Sequence, residues 1–119
     1  MNKQRFTLEF SKSANIQIVG FSGFLTTGLT ESLTPEVVKS LADGCRLFLF
    51  DFSGVTMLES PAVAVLLTMT EKIVDEHQGE LAFCGLNEMA SKVLEMVGVF
   101  LYAGRFKDRA EAIAGMGEP

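Results

Sequence analysis

The sequence predicts an α/β fold: a mixed β-sheet of four to five strands with about four helices packed on it. Three observations carry this. Two neighbouring stretches, Phe6 to Ser11 and Ile16 to Phe21, alternate apolar and polar residues, the period of half-buried strands. Leu47 to Phe52 is nearly continuously apolar, as a central strand covered on both faces would be. From there helical and strand patterns alternate, and a strand–helix–strand order implies a right-handed parallel crossover.

Each element has its local justification. Phe6 to Ser11 and Ile16 to Phe21 are joined by a turn at Ser13-Ala-Asn15 and read as an antiparallel hairpin. Gly23 to Leu33 is polar and glycine-interrupted, a connection. A helix is expected from Thr34-Pro35-Glu36, with Thr34 capping and Pro35 at the first helical position, where no N–H is needed. Val37, Val38 and Leu41 supply its buried face, and Asp43-Gly44 ends it. Leu47 to Phe52 is the central strand, broken by Ser53-Gly54. Pro61 to about Gln78 reads as the longest helix, stopped by Gly79. Leu81 to Cys84 is a short apolar strand. Asn87 caps a helix through Met96, which ends at Gly98. Phe100 to Ala103 is a last short strand, and Asp108 to Met116 a final helix.

Length and composition bound the function. The chain has 119 residues, enough for one domain over residues 1–119 with its core at about 6–116. Hydrophobic residues make up 48% and charged residues 21%, normal for a folded chain. The net charge of −5 argues against a nucleic-acid surface, which needs clustered Lys and Arg. No apolar signal core follows Met1-Asn-Lys-Gln-Arg5, and the run Ala62 to Leu67 is far short of the roughly 20 residues that span a bilayer. The expectation is a soluble, cytoplasmic protein without membrane insertion. Cys45 and Cys84 lack metal-ligand spacing and His77 is the only histidine, so no metal site and no cofactor are read. With parallel strands, Cys45 starts one and Cys84 leaves its neighbour, too far apart for a disulfide, and both are expected as reduced core thiols.

The chemistry-bearing stretch follows the central strand: Leu49-Phe-Asp51-Phe-Ser-Gly-Val-Thr-Met-Leu-Glu59-Ser60-Pro61-Ala62. It resembles the signature of the STAS domain family, whose best-known members are bacterial anti-sigma-factor antagonists. The family pattern is a buried strand ending in Asp, a small polar turn, an apolar pair, Asp-Ser-Ser-Gly and an apolar helix. Downstream, Gly79, the Leu81–Cys84 strand, the Asn87 cap, Leu94-Glu-Met-Val-Gly98-Val99 and Asp108-Arg-Ala-Glu-Ala112 follow the family order, so the likeness runs over about residues 6 to 116. The resemblance implies a single STAS-like domain that acts through a protein partner, an anti-sigma factor or serine-kinase-like protein. It also implies a phosphoacceptor at the second Ser of the motif. That position is Pro61, which cannot carry phosphate. Glu59 replaces the Asp, Ser60 holds the first Ser position, and Ala62 replaces the Gly. Gly23-Phe-Leu-Thr26 lacks the Asp that the family often carries there.

Individual residues have two readings each. Ser60 is either the helix N-cap, with Pro61 at the first helical position as at Thr34-Pro35, or a displaced phosphosite whose phosphate would meet the free N–H groups of the first turn. Asp51 and Glu59 are carboxylates at the carboxyl edge of the sheet, where sites of such folds collect. No nucleophile–base set accompanies them, because His77 lies about four helical turns, roughly 25 Å, beyond Ser60. The expectation is therefore a protein that is not an enzyme. Val63, Leu66, Leu67, Thr70, Ile73 and Val74 form the stripe that packs on the sheet. Ala62, Val65 and Met69 lie on another side, and charges appear only from Glu71 on. The first two turns are thus either buried by neighbours or an exposed apolar patch. The expected partner surface is Met57, Leu58, Glu59, Ser60, Pro61, Ala62, Val65 and Met69. The leading function is an anti-sigma-factor-antagonist-like module of bacterial partner switching without the usual serine switch. The alternative is an accessory STAS subunit of an ABC-type membrane transport complex.

Overall fold

The structure is a computed structural model that describes residues 5–116. The reading of the first residues as free of a signal core therefore falls partly outside the described residues. A five-stranded mixed sheet runs in the order β1-β2-β3-β4-β5. The strands are β1 (Phe6–Ser13), β2 (Ile16–Leu25), β3 (Leu47–Leu58), β4 (Glu80–Cys84) and β5 (Gly104–Phe106). β1 and β2 are the expected antiparallel hairpin. β2, β3, β4 and β5 are parallel neighbours. The crossovers are α1 (Leu29–Ala42), α2 (Ser60–Thr70) with a π-helical turn (Glu71–Glu76), and α3 (Glu88–Met96) with a 3-10 turn (Val99–Leu101). All three helices share one core with Phe48, Phe50, Phe52 and Phe83. α4 (Arg109–Gly115) covers the opposite face over Leu49, Ala82 and Cys84.

The alternation of β3 dictates this sandwich: Phe48, Phe50 and Phe52 point to the helices, while Leu49 and Asp51 point to α4. Under the helices, Phe21 lies 5.1 Å from Phe50 and 4.8 Å from Phe52, and Phe83 lies 5.5 Å from each of them, edge to face. These rings form a stiff floor beneath α2 and α3.

Four expectations are corrected. β3 does not break at Ser53-Gly54. From Gly20↔Asp51 to Ser22↔Gly54, β2 advances two residues while β3 advances three, and a second shift follows between Gly23 and Phe24. β3 absorbs the extra residues as bulges and continues to Leu58. Gly54 is required there, because a Cβ would lie 2.6 Å from that of Ser22. α1 starts at Leu29, not at Thr34, and Pro35 sits inside it. Leu29, Leu33, Val37 and Leu41, one turn apart, are at most 3% exposed. Burying the first two outweighs the roughly 3 kcal/mol that an internal proline costs. That stripe leaves Val38 exposed at 42%. The last strand is Gly104–Phe106, while Phe100 lies in the 3-10 turn. Gly98 ends α3 as expected, in the left-handed region at φ 88°. The helix read through Gln78 is α-helical to Thr70 and then widens into the π turn. There the Thr70 hydroxyl donates to the Leu66 carbonyl at 2.8 Å, competing with the backbone ladder.

Candidate functional site

The segment Met57–Pro61 joins the end of β3 to the start of α2. One contact fixes it and another fixes the strand that leads into it. The Glu59 N–H donates to the Leu25 carbonyl at 2.9 Å, tying the junction to the end of β2. The Asn87 side chain accepts from the Ala90 N–H at 2.8 Å and donates to the Val55 carbonyl at 3.1 Å. One amide thus caps α3, as expected, and locks α3 to the extension of β3.

Ser60 is not the cap. The N-cap is Glu59, in extended conformation at φ −90° and ψ 154°, and no side chain caps α2. The Glu59 carbonyl accepts from Ala62 and Val63. Pro61 then falls within the first turn, where its missing N–H costs nothing. Ser60 and Pro61 are both exposed, and the Ser60 hydroxyl has no hydrogen-bond partner among the described residues.

The eight residues expected to form a partner surface divide. Met57 is 52% exposed, Ser60 and Pro61 are exposed, and Leu58, Glu59 and Val65 are half-buried. Ala62 and Met69 are 0% and 2% exposed and drop out of any surface. The reason is the position of α2, which joins the common core through Ala62, Val63, Leu66 and Met69 and also meets α1. A helix buried on two flanks is apolar on both. Leu67 and Val74, assigned to the sheet stripe, are half-buried.

The structure reveals a groove of about 320 Å³ between α2 and α3, lined by Ser60, Val63, Ala64, Leu67, Val93 and Val97. Val97 in its wall is 40% exposed. Sequence reasoning missed the α3 half. Its signal was present: Ala90 and Leu94 fill the inward face, so Met89, Val93 and Val97 must lie on another.

Asp51 is not part of this surface. It points to the opposite face, accepting from Arg109 Nε at 2.8 Å and from the Ser53 N–H at 3.0 Å. Burial pushes its carboxyl up, but the Ser53 N–H and hydroxyl and the Arg109 guanidinium outweigh that and hold it below its ordinary value. Asp51 therefore stays ionised as the clasp of α4. Arg109, its partner, was not singled out from the sequence. Beside it, burial and the Asp51 charge push the Cys84 thiol up to about 12, which keeps it protonated and unreactive. Cys45 and Cys84 are both free, as expected. His77 Nδ1 sits 3.1 Å from the Lys72 carbonyl, within its own turn. Among the described residues no group of His, Cys, Asp and Glu side chains could hold a metal ion, and no helix is long and apolar enough to cross a membrane.

Comparison with known proteins places this geometry. The chain covers 95% of, and is covered 95% by, an anti-sigma factor antagonist from Mycobacterium paratuberculosis, at 17% identity and a TM-score of 0.79. The Bacillus cell fate determinant SpoIIAA, in its phosphorylated form, matches at 14% identity and a TM-score of 0.74, over 91% of this chain and 97% of that one. The murine anion transporter Slc26a9 matches at 14% identity and a TM-score of 0.67, over 87% of this chain and 18% of that one. No curated protein matches by sequence. The STAS domain model matches residues 7–112. The chain belongs to the STAS domain family.

Proposed function

We propose that this domain is a non-catalytic interaction module, an anti-sigma-factor-antagonist-like regulator of a bacterial partner-switching system, that binds its partner without a serine switch. The observation that carries this reading is Pro61. It stands exposed in the first turn of α2, where the family motif places its phosphoacceptor, and it has no hydroxyl. Met57, Leu58, Glu59, Ser60, Pro61 and Val65 form the contact surface, and the partner is an anti-sigma factor or serine-kinase-like protein.

Two further observations support the reading. Asp51, expected at the carboxyl edge of the sheet, lies in the middle of β3, is engaged by Arg109 and Ser53 and points away from this surface. The solved anti-sigma factor antagonists share the fold over nearly the full chain. The Ser60 hydroxyl is free, so the phosphorylation test is direct: incubation with the cognate kinase and ATP, then intact mass. The expected result is an unchanged mass. A stoichiometric phosphate gain abolished by Ser60→Ala would overturn the unswitched reading and assign the switch to Ser60.

A second reading, an accessory STAS subunit of a membrane transport complex, is favoured by the fold shared with part of an anion transporter. Pull-down from the native cell separates the two. A kinase-like partner supports the first, and a transporter ATPase the second.

A further inference from the structure

We infer that the groove between α2 and α3 receives a cationic amphipathic helix of the partner protein. The inference rests on the interaction-module reading and adds the chemistry of the partner. The groove wall is almost wholly apolar: Val63, Ala64 and Leu67 from α2, Val93 and Val97 from α3. This is the form of a helix-in-groove site, which accepts an apolar helix face.

Charge selects the occupant. Along α2, Ser60–Thr70 carries no charged residue. Glu59 immediately precedes it, and Glu71 continues the stripe one turn past Leu67. Neither carboxylate has a hydrogen-bond or ion-pair partner among the described residues. The charges on α3 are already neutralised, Lys92 by Glu88 and Glu95 by Arg105. The helix that supplies one wall of the groove is thus bracketed by two unpaired acids, about 18 Å apart at 1.5 Å per residue. An occupant of about 12 helical residues with Lys or Arg at both ends satisfies both features. A second copy of this chain does not, because its own stripe presents the same two acids. An anionic lipid surface is repelled for the same reason.

The test uses the full chain and two fluorescent 14-residue peptides with one Leu/Ala amphipathic face, one flanked by Lys and the other by Glu. Anisotropy and backbone NMR are read together. The Lys peptide is expected to bind, shifting the resonances of Ala64, Leu67, Val93 and Val97, and the Glu peptide at least tenfold more weakly. Ala64→Arg, at an exposed position, abolishes binding with an unchanged melting temperature. E59Q and E71Q each weaken it by about two- to fivefold. Equal binding of the two peptides, shifts mapping elsewhere, or comparable binding to phosphatidylserine vesicles would overturn the inference. So would concentration-dependent self-association that Ala64→Arg removes. If a captured partner binds Ala64→Arg and E71Q as tightly as the parent chain, the groove is refuted while the regulatory reading stands.

Discussion

Asp51→Asn, Arg109→Gln and the double substitution form a thermodynamic cycle across the contact that clasps α4 to the sheet. The two side chains are 10% and 39% exposed, with 2.8 Å between Arg109 Nε and the carboxylate. A hydrogen bond to a charged group contributes about 1.5–3 kcal/mol, and a fully exposed ion pair about 0.2–1 kcal/mol. Here the carboxylate is nearly dry while the guanidinium is wet on one side, so solvent lowers the upper figure. The coupling expected at pH 7 is about 1–2 kcal/mol. Asn at position 51 keeps an acceptor for the Ser53 N–H, so the cycle isolates the Arg109 contact. With ~2.1 cal/mol/K per residue, a chain of 119 residues has an unfolding entropy of about 0.25 kcal/mol/K, and Asp51→Asn lowers Tm by about 4–8 °C. The pH dependence has a definite sign. The carboxyl is held below its ordinary value in the folded state, so the unfolded chain takes up the proton first as pH falls. The stabilisation is complete above the ordinary carboxylate range and is lost as pH falls through the folded pKa. Urea unfolding of the four proteins by circular dichroism, at pH 7 and pH 2.5, measures the coupling. A value below about 0.3 kcal/mol at pH 7, or an equal value at both pH values, would refute this account of the clasp.

Other outcomes follow from burial and backbone geometry. Met69→Ala, at 2% exposure, costs about 2–4 kcal/mol in urea unfolding. Met57→Ala, at 52% exposure, leaves stability within about 0.5 kcal/mol and weakens capture of the partner. A stability loss at Met57 matching that at Met69 would contradict the assignment of the two flanks. Gly85→Ala is expected to cost at least about 2 kcal/mol, because Gly85 has φ +68° and a Cβ there would lie 2.8 Å from the Ser53 nitrogen. An unchanged urea midpoint would contradict that. With a thiol reagent at pH 8, half-buried Cys45 reacts in the folded protein, and buried Cys84 only after unfolding. Two fast equivalents from the native chain would sink that reading.

The sheet from β1 to β4 was largely legible because its signals are short-range, whereas β5 was placed too early. The hairpin alternation and the apolar run of β3 each lie within one element, and they dictated pairing and faces. What escaped the sequence depends on partners distant in the chain. Thr34-Pro35 is a sound local helix start, yet burial of Leu29 and Leu33 against the core decided where α1 begins. Ser53-Gly54 reads as a break, and only the neighbouring β2 turns it into a bulge. At the candidate site, the break read at Ser53-Gly54 put Met57 and Leu58 outside the strand, whereas β3 carries through to Leu58. Ala62 and Met69 were misplaced because a single helix pattern does not say how many flanks its neighbours cover. Arg109 was missed because it meets Asp51 across 58 residues of chain.

The order of the strands across the sheet is also their order along the chain. Every new strand is laid beside the one made immediately before it, and no strand must be inserted between two already paired. Loop closure is therefore always over one crossover. Assembly can proceed as an addition reaction from the hairpin outward, keeping pace with synthesis from the N-terminus. The three residues of β5 and the seven of α4 come last. β5 extends the sheet along β4, and α4 covers the back over Cys84.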